Sequence, residues 1–174
     1  MDFVTRPVSR NTLREYAASF RKLFGIDSLS SFPVLEALEQ LPDVFDKCNY
    51  NIVGNNDLPF YIPTRCYKNE DGGYTIVIKN SIYDGAYQKQ IGAYRGFICH
   101  EICHIFLFDK GYIPLSKSIY ADNYIKAYKS GEWQAKALCG EVMMPYEATK
   151  NMTIKSIMDT YQVSKGFAIK RKTY

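Results

Sequence analysis

IGAYRGFICHEICHIFLF, residues 91–108, decides how the rest of the chain must be arranged. Ile91, Tyr94, Phe97, Ile98, Ile102, Ile105, Phe106, Leu107 and Phe108 cover most of the circumference of a helix. A helix that is apolar all round is buried, so this one is expected at the centre of the molecule, ended by Gly111. His100, Glu101 and His104 interrupt it, and these are the only 2 histidines in the chain.

Positions 100 and 104 lie one turn apart on one helical face. Two imidazoles so placed can share one metal ion at about 2.0–2.1 Å each. Glu101 sits about 100° further round, within reach of a water held by that ion. The metal lowers the pKa of that water towards about 7, and the carboxylate takes its proton and passes it to a leaving amine. Two histidines scattered at random give this HExxH spacing roughly once in two thousand chains. The competing account is a buried histidine pair satisfied by hydrogen bonds, with Glu101 in a salt bridge. Burying such groups without a function costs on the order of several kcal/mol.

A catalytic zinc site takes three protein ligands, and no third histidine exists. The extended pattern HExxHxxGxxH is absent, because Leu107 and Lys110 occupy its later positions. Asp109, Asp122, Glu132, Cys139 and Glu141 are the downstream candidates. Asp109 is about 140° off the face of His104. Asp122 falls in an expected loop and stays open. Glu132 opens the next helix, expected over 131–143 and closed by Pro145, and Glu141 is about 180° round from it, so the two cannot serve one metal. Ala135, on the Glu132 face, is small enough to let two helices approach. Glu132 is therefore favoured over its alternative role, a first-turn acid complementing the helix dipole.

The surroundings are those of an ordinary folded protein. The chain has 174 residues, 47% hydrophobic and 23% charged, which excludes disorder as a description of the whole. No run approaches the roughly 18 apolar residues of a membrane span, and MDFVTRPVSR is not a secretory signal. The 5 cysteines are irregularly spaced and do not form a disulfide framework, so a reducing cytoplasm is expected. A net charge of +4 does not demand a nucleic-acid partner. Lys165, Lys170, Arg171 and Lys172 read as a solvated basic face, and direct nucleic-acid binding is not expected.

Residues 9–24 have helical spacing, with Asn11 as an N-cap and Gly25 as the stop. Pro33 starts a second helix ending near Leu41, limited by Pro42. Residues 62–80 read as a hairpin turning at Glu70-Asp71-Gly72-Gly73, with 74–78 the strongest strand. A short helix follows near 81–88. The tail carries a helix over 154–161, then an N-capped turn at Val163-Ser164. The order of helix, strands and helices indicates an α+β fold, with a small sheet packed on helices and the HExxH helix central. A domain is expected over residues 1–150, with 151–174 a short helical basic segment packed on it or extending it.

HEICH at 100–104, Glu132-Trp133-Gln134-Ala135 and Val142-Met143-Met144-Pro145 together resemble the ImmA/IrrE family of metallopeptidases. The N-terminal helix, the 74–78 strand, Arg95, Val163-Ser164 and Lys170-Arg171 also fit that family's layout. The resemblance implies a zincin-like core, with His100, His104 and Glu132 as zinc ligands, a gluzincin-like set, and Glu101 as general base. Cys103 stands where members usually have Gly, Leu138-Cys139 replace Phe-Ala, and Gly96-Phe97 replace Phe-Thr. None of these departures removes a ligand or the base, and Cys103 reads as a small buried thiol. The family also implies an intracellular regulatory endopeptidase whose protein substrate is a partner such as a helix-turn-helix transcriptional repressor. The alternative is a non-catalytic, metal-containing binding protein of the same fold. Zinc is the expected ion, one per chain, although a His/His/carboxylate set also suits manganese or iron.

Overall fold

The computed structural model describes residues 2–115 and 125–173. Asp122 lies outside the described residues. At the centre is helix α5, Gly92–Asp109, in which Ile98, Cys99, Ile102, Cys103, Ile105 and Phe106 are buried. Its apolar circumference is covered by a helical layer on one side and by a sheet on the other. The helical layer is α1, Arg10–Leu23, and α6, Gly131–Met143, which packs against both α1 and α5.

Helix α1 buries Leu13, Ala17 and Phe20, spaced at four and three residues. The Phe20 ring meets Phe106 of α5 edge-on, with centroids 5.2 Å apart. The N-cap is Ser9 rather than Asn11: the Ser9 side chain accepts from Thr12 N at 3.1 Å, which satisfies an orphan donor of the first turn. Two short helices follow, α2 at Val34–Glu39 and α3 at Leu41–Val44. Pro42 does not limit the first of them. It occupies the first turn of α3, where a missing N–H costs nothing.

The sheet has three strands in the order β1-β3-β2. Strands β2, Thr64–Lys68, and β3, Tyr74–Lys79, form the antiparallel hairpin that the turn residues predict. Ile76 and Ile78 of β3 are fully buried. Strand β1, Asn49–Val53, pairs parallel with β3 and has no counterpart in the sequence reading. Its burial does not alternate, so it lacks the period-two pattern that identifies a strand. Helix α4, Asn80–Tyr87, connects the sheet to α5.

The C-terminal part comprises α7, Tyr146–Thr149, α8, Ile154–Tyr161, and α9, Lys165–Arg171, the last capped by Ser164. Ile157, Tyr161, Val163 and Ala168 belong to the same hydrophobic core as α1 and α5. Gly96 lets α9 pack closely on α5, since a Cβ there would lie 2.8 Å from the Phe167 ring. No helix among the described residues is long and apolar enough to cross a membrane.

Buried charge ties these layers together. Arg95 of α5 donates to Phe32 O at 2.7 Å and to Gln162 Oε1 at 2.6 Å. Arg21 of α1 donates to Val142 O at 2.6 Å, meeting an orphan carbonyl at the end of α6. Glu141 is not poised for a metal. It is 1% exposed, and its Oε1 accepts from Arg171 at 2.9 Å, from Arg10 at 3.1 Å and from Arg14 at 3.5 Å. Arg171 is accordingly buried, not part of a solvated basic face.

Removing the carboxylate leaves the Arg171 guanidinium buried without its anion. Glu141→Ala is expected to lower unfolding free energy by about 3–5 kcal/mol in urea titrations. Glu147→Ala, which breaks an exposed pair with Lys150, is expected to change it by less than about 1 kcal/mol.

Candidate metal centre

Helices α5 and α6 bring three sequence-predicted side chains to one point. The Nε2 atoms of His100 and His104 are 3.2 Å apart. Glu132 places Oε2 at 3.5 Å from His100 Nε2 and Oε1 at 3.3 Å from His104 Nε2. Four ligands held tetrahedrally at about 2.0–2.1 Å are separated by about 3.3–3.4 Å, so the observed spacings are those of three corners of such a site. The donor set, two imidazoles and one carboxylate, can hold a divalent ion. Asp109 does not join it: its carboxylate pairs with Lys110.

The position of Glu132 follows from how α6 begins. Ser130 caps the helix and accepts from Trp133 N at 2.9 Å. Asp2 accepts from Glu132 N at 3.1 Å and from Ser130 Oγ at 2.7 Å. The extended N-terminal segment therefore holds the first turn of α6, and an isolated bridge between Val4 and Ser130 reinforces it. At the seam with α5, Ala135 is fully buried, and its small side chain permits the close approach.

Rings fix the orientation of His104. It stacks on Phe108 at 5.7 Å, and Phe108 stacks in turn on Tyr74 of β3 at 4.7 Å. Phe3 meets both rings, at 6.4 Å from His104 and 6.0 Å from Phe108. His100 is less well supported. Its Nδ1 is buried without a hydrogen-bond partner among the described residues.

Glu101 is 8% exposed and turned towards the sheet, where its Oε1 accepts from Thr64 Oγ1 at 3.1 Å. Thr64, the first residue of β2, thus sets the rotation of this carboxylate. Sequence spacing offers no signal for Thr64, Phe3 or Asp2, because each reaches the site through tertiary contact. Beside His100 a cleft of about 280 Å³ is lined by Phe97, Trp133, Met144 and Phe167, with Lys136 and Lys170 among its basic residues.

Residues 86–173 match the model of the IrrE N-terminal-like domain, the peptidase M78 family. The match covers half of the chain, and the chain belongs to this family. The family carries the general activity of a metallopeptidase, with protein as substrate. No curated protein matches the chain.

The Glu132 carboxylate is held well below the usual range, first by hydrogen bonds from His100 and His104 and then by their charge. Its folded pKa lies below the unfolded value, so its contribution to stability is present above that value and is lost as pH falls. For protein stripped of metal, stability should therefore drop on acidification below about pH 4.5, the ordinary value of this carboxyl. Glu132→Gln should flatten that limb in denaturant titrations run across the acid range.

Proposed function

We propose that the chain is a zinc-dependent intracellular endopeptidase that cleaves a partner protein, such as a helix-turn-helix transcriptional repressor. His100, His104 and Glu132 are the ligands, and Glu101 is the general base. Residues 151–174 form a helical segment packed on a zincin-like core of residues 1–150. The observation that carries this reading is the convergence of two Nε2 atoms and both Glu132 oxygens within 3.2–3.5 Å. Membership of the M78 family supports it independently.

When bound, the ion supplies Lewis acidity to a water molecule and to a peptide carbonyl. Glu101 takes the proton from the attacking water and returns it to the amine of the departing fragment. Its hydrogen bond from Thr64 keeps the carboxylate in one rotamer, so the proton acceptor is positioned before substrate arrives. Low exposure of Glu101 limits competition from bulk water. The cleft beside His100 is apolar enough to seat a large side chain of the substrate next to the bond that is cut.

The test uses purified full-length protein and a repressor encoded beside it. Wild type should carry about one zinc per chain by elemental analysis and cut the repressor once or a few times. Glu101→Gln should keep the metal and lose about 10²–10⁴-fold in cleavage rate. His100→Ala should lose both. A Glu101→Gln protein that cleaves as fast as wild type would remove the base from the mechanism. Metal binding without any cleavage would favour the non-catalytic alternative.

A further inference from the structure

A second group of metal-ligating side chains lies on the same two helices. Cys99 and Cys103 are one turn apart on α5, and Cys139 comes from α6. Their three Sγ atoms all lie within 4.8 Å of one another. All three side chains are buried, at 0%, 0% and 2% exposure, and none is in a disulfide. We infer that Cys99, Cys103 and Cys139 form a trigonal thiolate site for a soft monovalent ion, copper(I).

The geometry suits that ion. For metal–sulfur bonds of about 2.3 Å, three sulfurs in a trigonal plane sit about 4.0 Å apart. The observed separations, all within 4.8 Å, are compatible with that spacing after side-chain adjustment. The donor chemistry discriminates among metals. Thiolates favour copper(I), whereas a structural zinc ion requires four ligands. Among the described residues, no imidazole or carboxylate joins the three sulfurs to make a fourth. Ile98, Ile102 and Leu138, neighbours in sequence on the same helices, are fully buried, so the cluster sits in an apolar part of the core.

Access and charge are also provided. Cys139 and Gly96 line the cleft beside His100, so the cleft reaches one of the three cysteines. Each thiol that ligates releases its proton to water, and the resulting anionic cluster needs a positive neighbour. Arg95 stands one turn before Cys99 on α5 and interacts with it electrostatically. Arg95 is buried and donates to Ser31, Phe32 and Gln162, all neutral acceptors. It forms no salt bridge within 4.0 Å among the described residues, and Glu36 is the carboxylate that shares its charge with Cys99.

The test is an anaerobic titration of the full-length protein with copper(I) in competition with bicinchoninate, followed by X-ray absorption. The expected result is one copper per chain with a three-coordinate shell of sulfur only. Cys103→Ala and Cys139→Ala should each weaken binding at least tenfold. Cys48→Ala, at a buried cysteine outside the cluster, should leave it unchanged, and so should His100→Ala. If the cluster variants do not fold, the shell of the wild-type protein decides alone. A nitrogen or oxygen shell, copper lost on His100→Ala, wild-type affinity in folded Cys103→Ala and Cys139→Ala, or no binding at all would each overturn the proposal.

Discussion

The close packing of α6 against α5 is the constraint on which the molecule depends. One helix supplies two imidazoles and the other a carboxylate, and neither can assemble the donor set alone. Small residues make the approach feasible, with Ala135 and Cys139 at the seam. The ends of α6 are held separately. Asp2 and Ser130 fix its first turn, while Arg21 and the arginines around Glu141 fix its last. Glu132 is therefore clamped from both directions, and a shift in either clamp would move a carboxylate whose oxygens lie 3.3 and 3.5 Å from two nitrogens.

The position of α5 was legible because its pattern admits a single arrangement. Apolar residues on every face require burial on every face, and that places the helix at the centre whatever surrounds it. The hairpin was equally legible from Glu70-Asp71-Gly72-Gly73 and the β-branched run after it. Strand β1 was not, because Asn49, Asn51 and Ile52 lie on an edge where alternation carries no energetic weight. Ser9 and Asn11 are both good caps, and only the backbone decides which one meets an orphan N–H. Pro42 shows the same limit: proline ends one helix or opens another, and sequence alone leaves the choice open.

At the site, helical periodicity was sufficient for residues that share a helix. The i, i+4 spacing joins His100 to His104, and the half-turn between Glu132 and Glu141 separates those two acids. The structure gives Glu141 an occupation that spacing could not assign, as the common acceptor for arginines from α1 and α9. Arg171 illustrates the reverse error. Four basic residues in a terminal segment suggest a solvated face, yet one of them is buried because its anion lies more than two dozen residues away in sequence. Thr64 and Phe3 likewise enter through strand and chain-end contacts that leave no periodic trace.

The polar groups of α5 differ in how well the protein alone satisfies them. Arg95 has carbonyl and amide acceptors, and Glu101 has a hydroxyl donor. The imidazoles do not reach that state. The two Nε2 atoms, 3.2 Å apart, share the Glu132 carboxylate as acceptor, each bond requiring a proton on that nitrogen, and His100 Nδ1 has no partner among the described residues. An arrangement of this kind is costly in an otherwise apolar helix. A cation between the three groups would replace these proton-dependent contacts with a bond to each ligand. Binding to the folded state alone would then add stability in proportion to the logarithm of metal concentration over its dissociation constant. In the proposed enzyme, the orphaned His100 Nδ1 and the proton-dependent contacts of both Nε2 atoms with Glu132 would favour metal, and occupancy of the centre would couple to the stability of the helix pair that builds it.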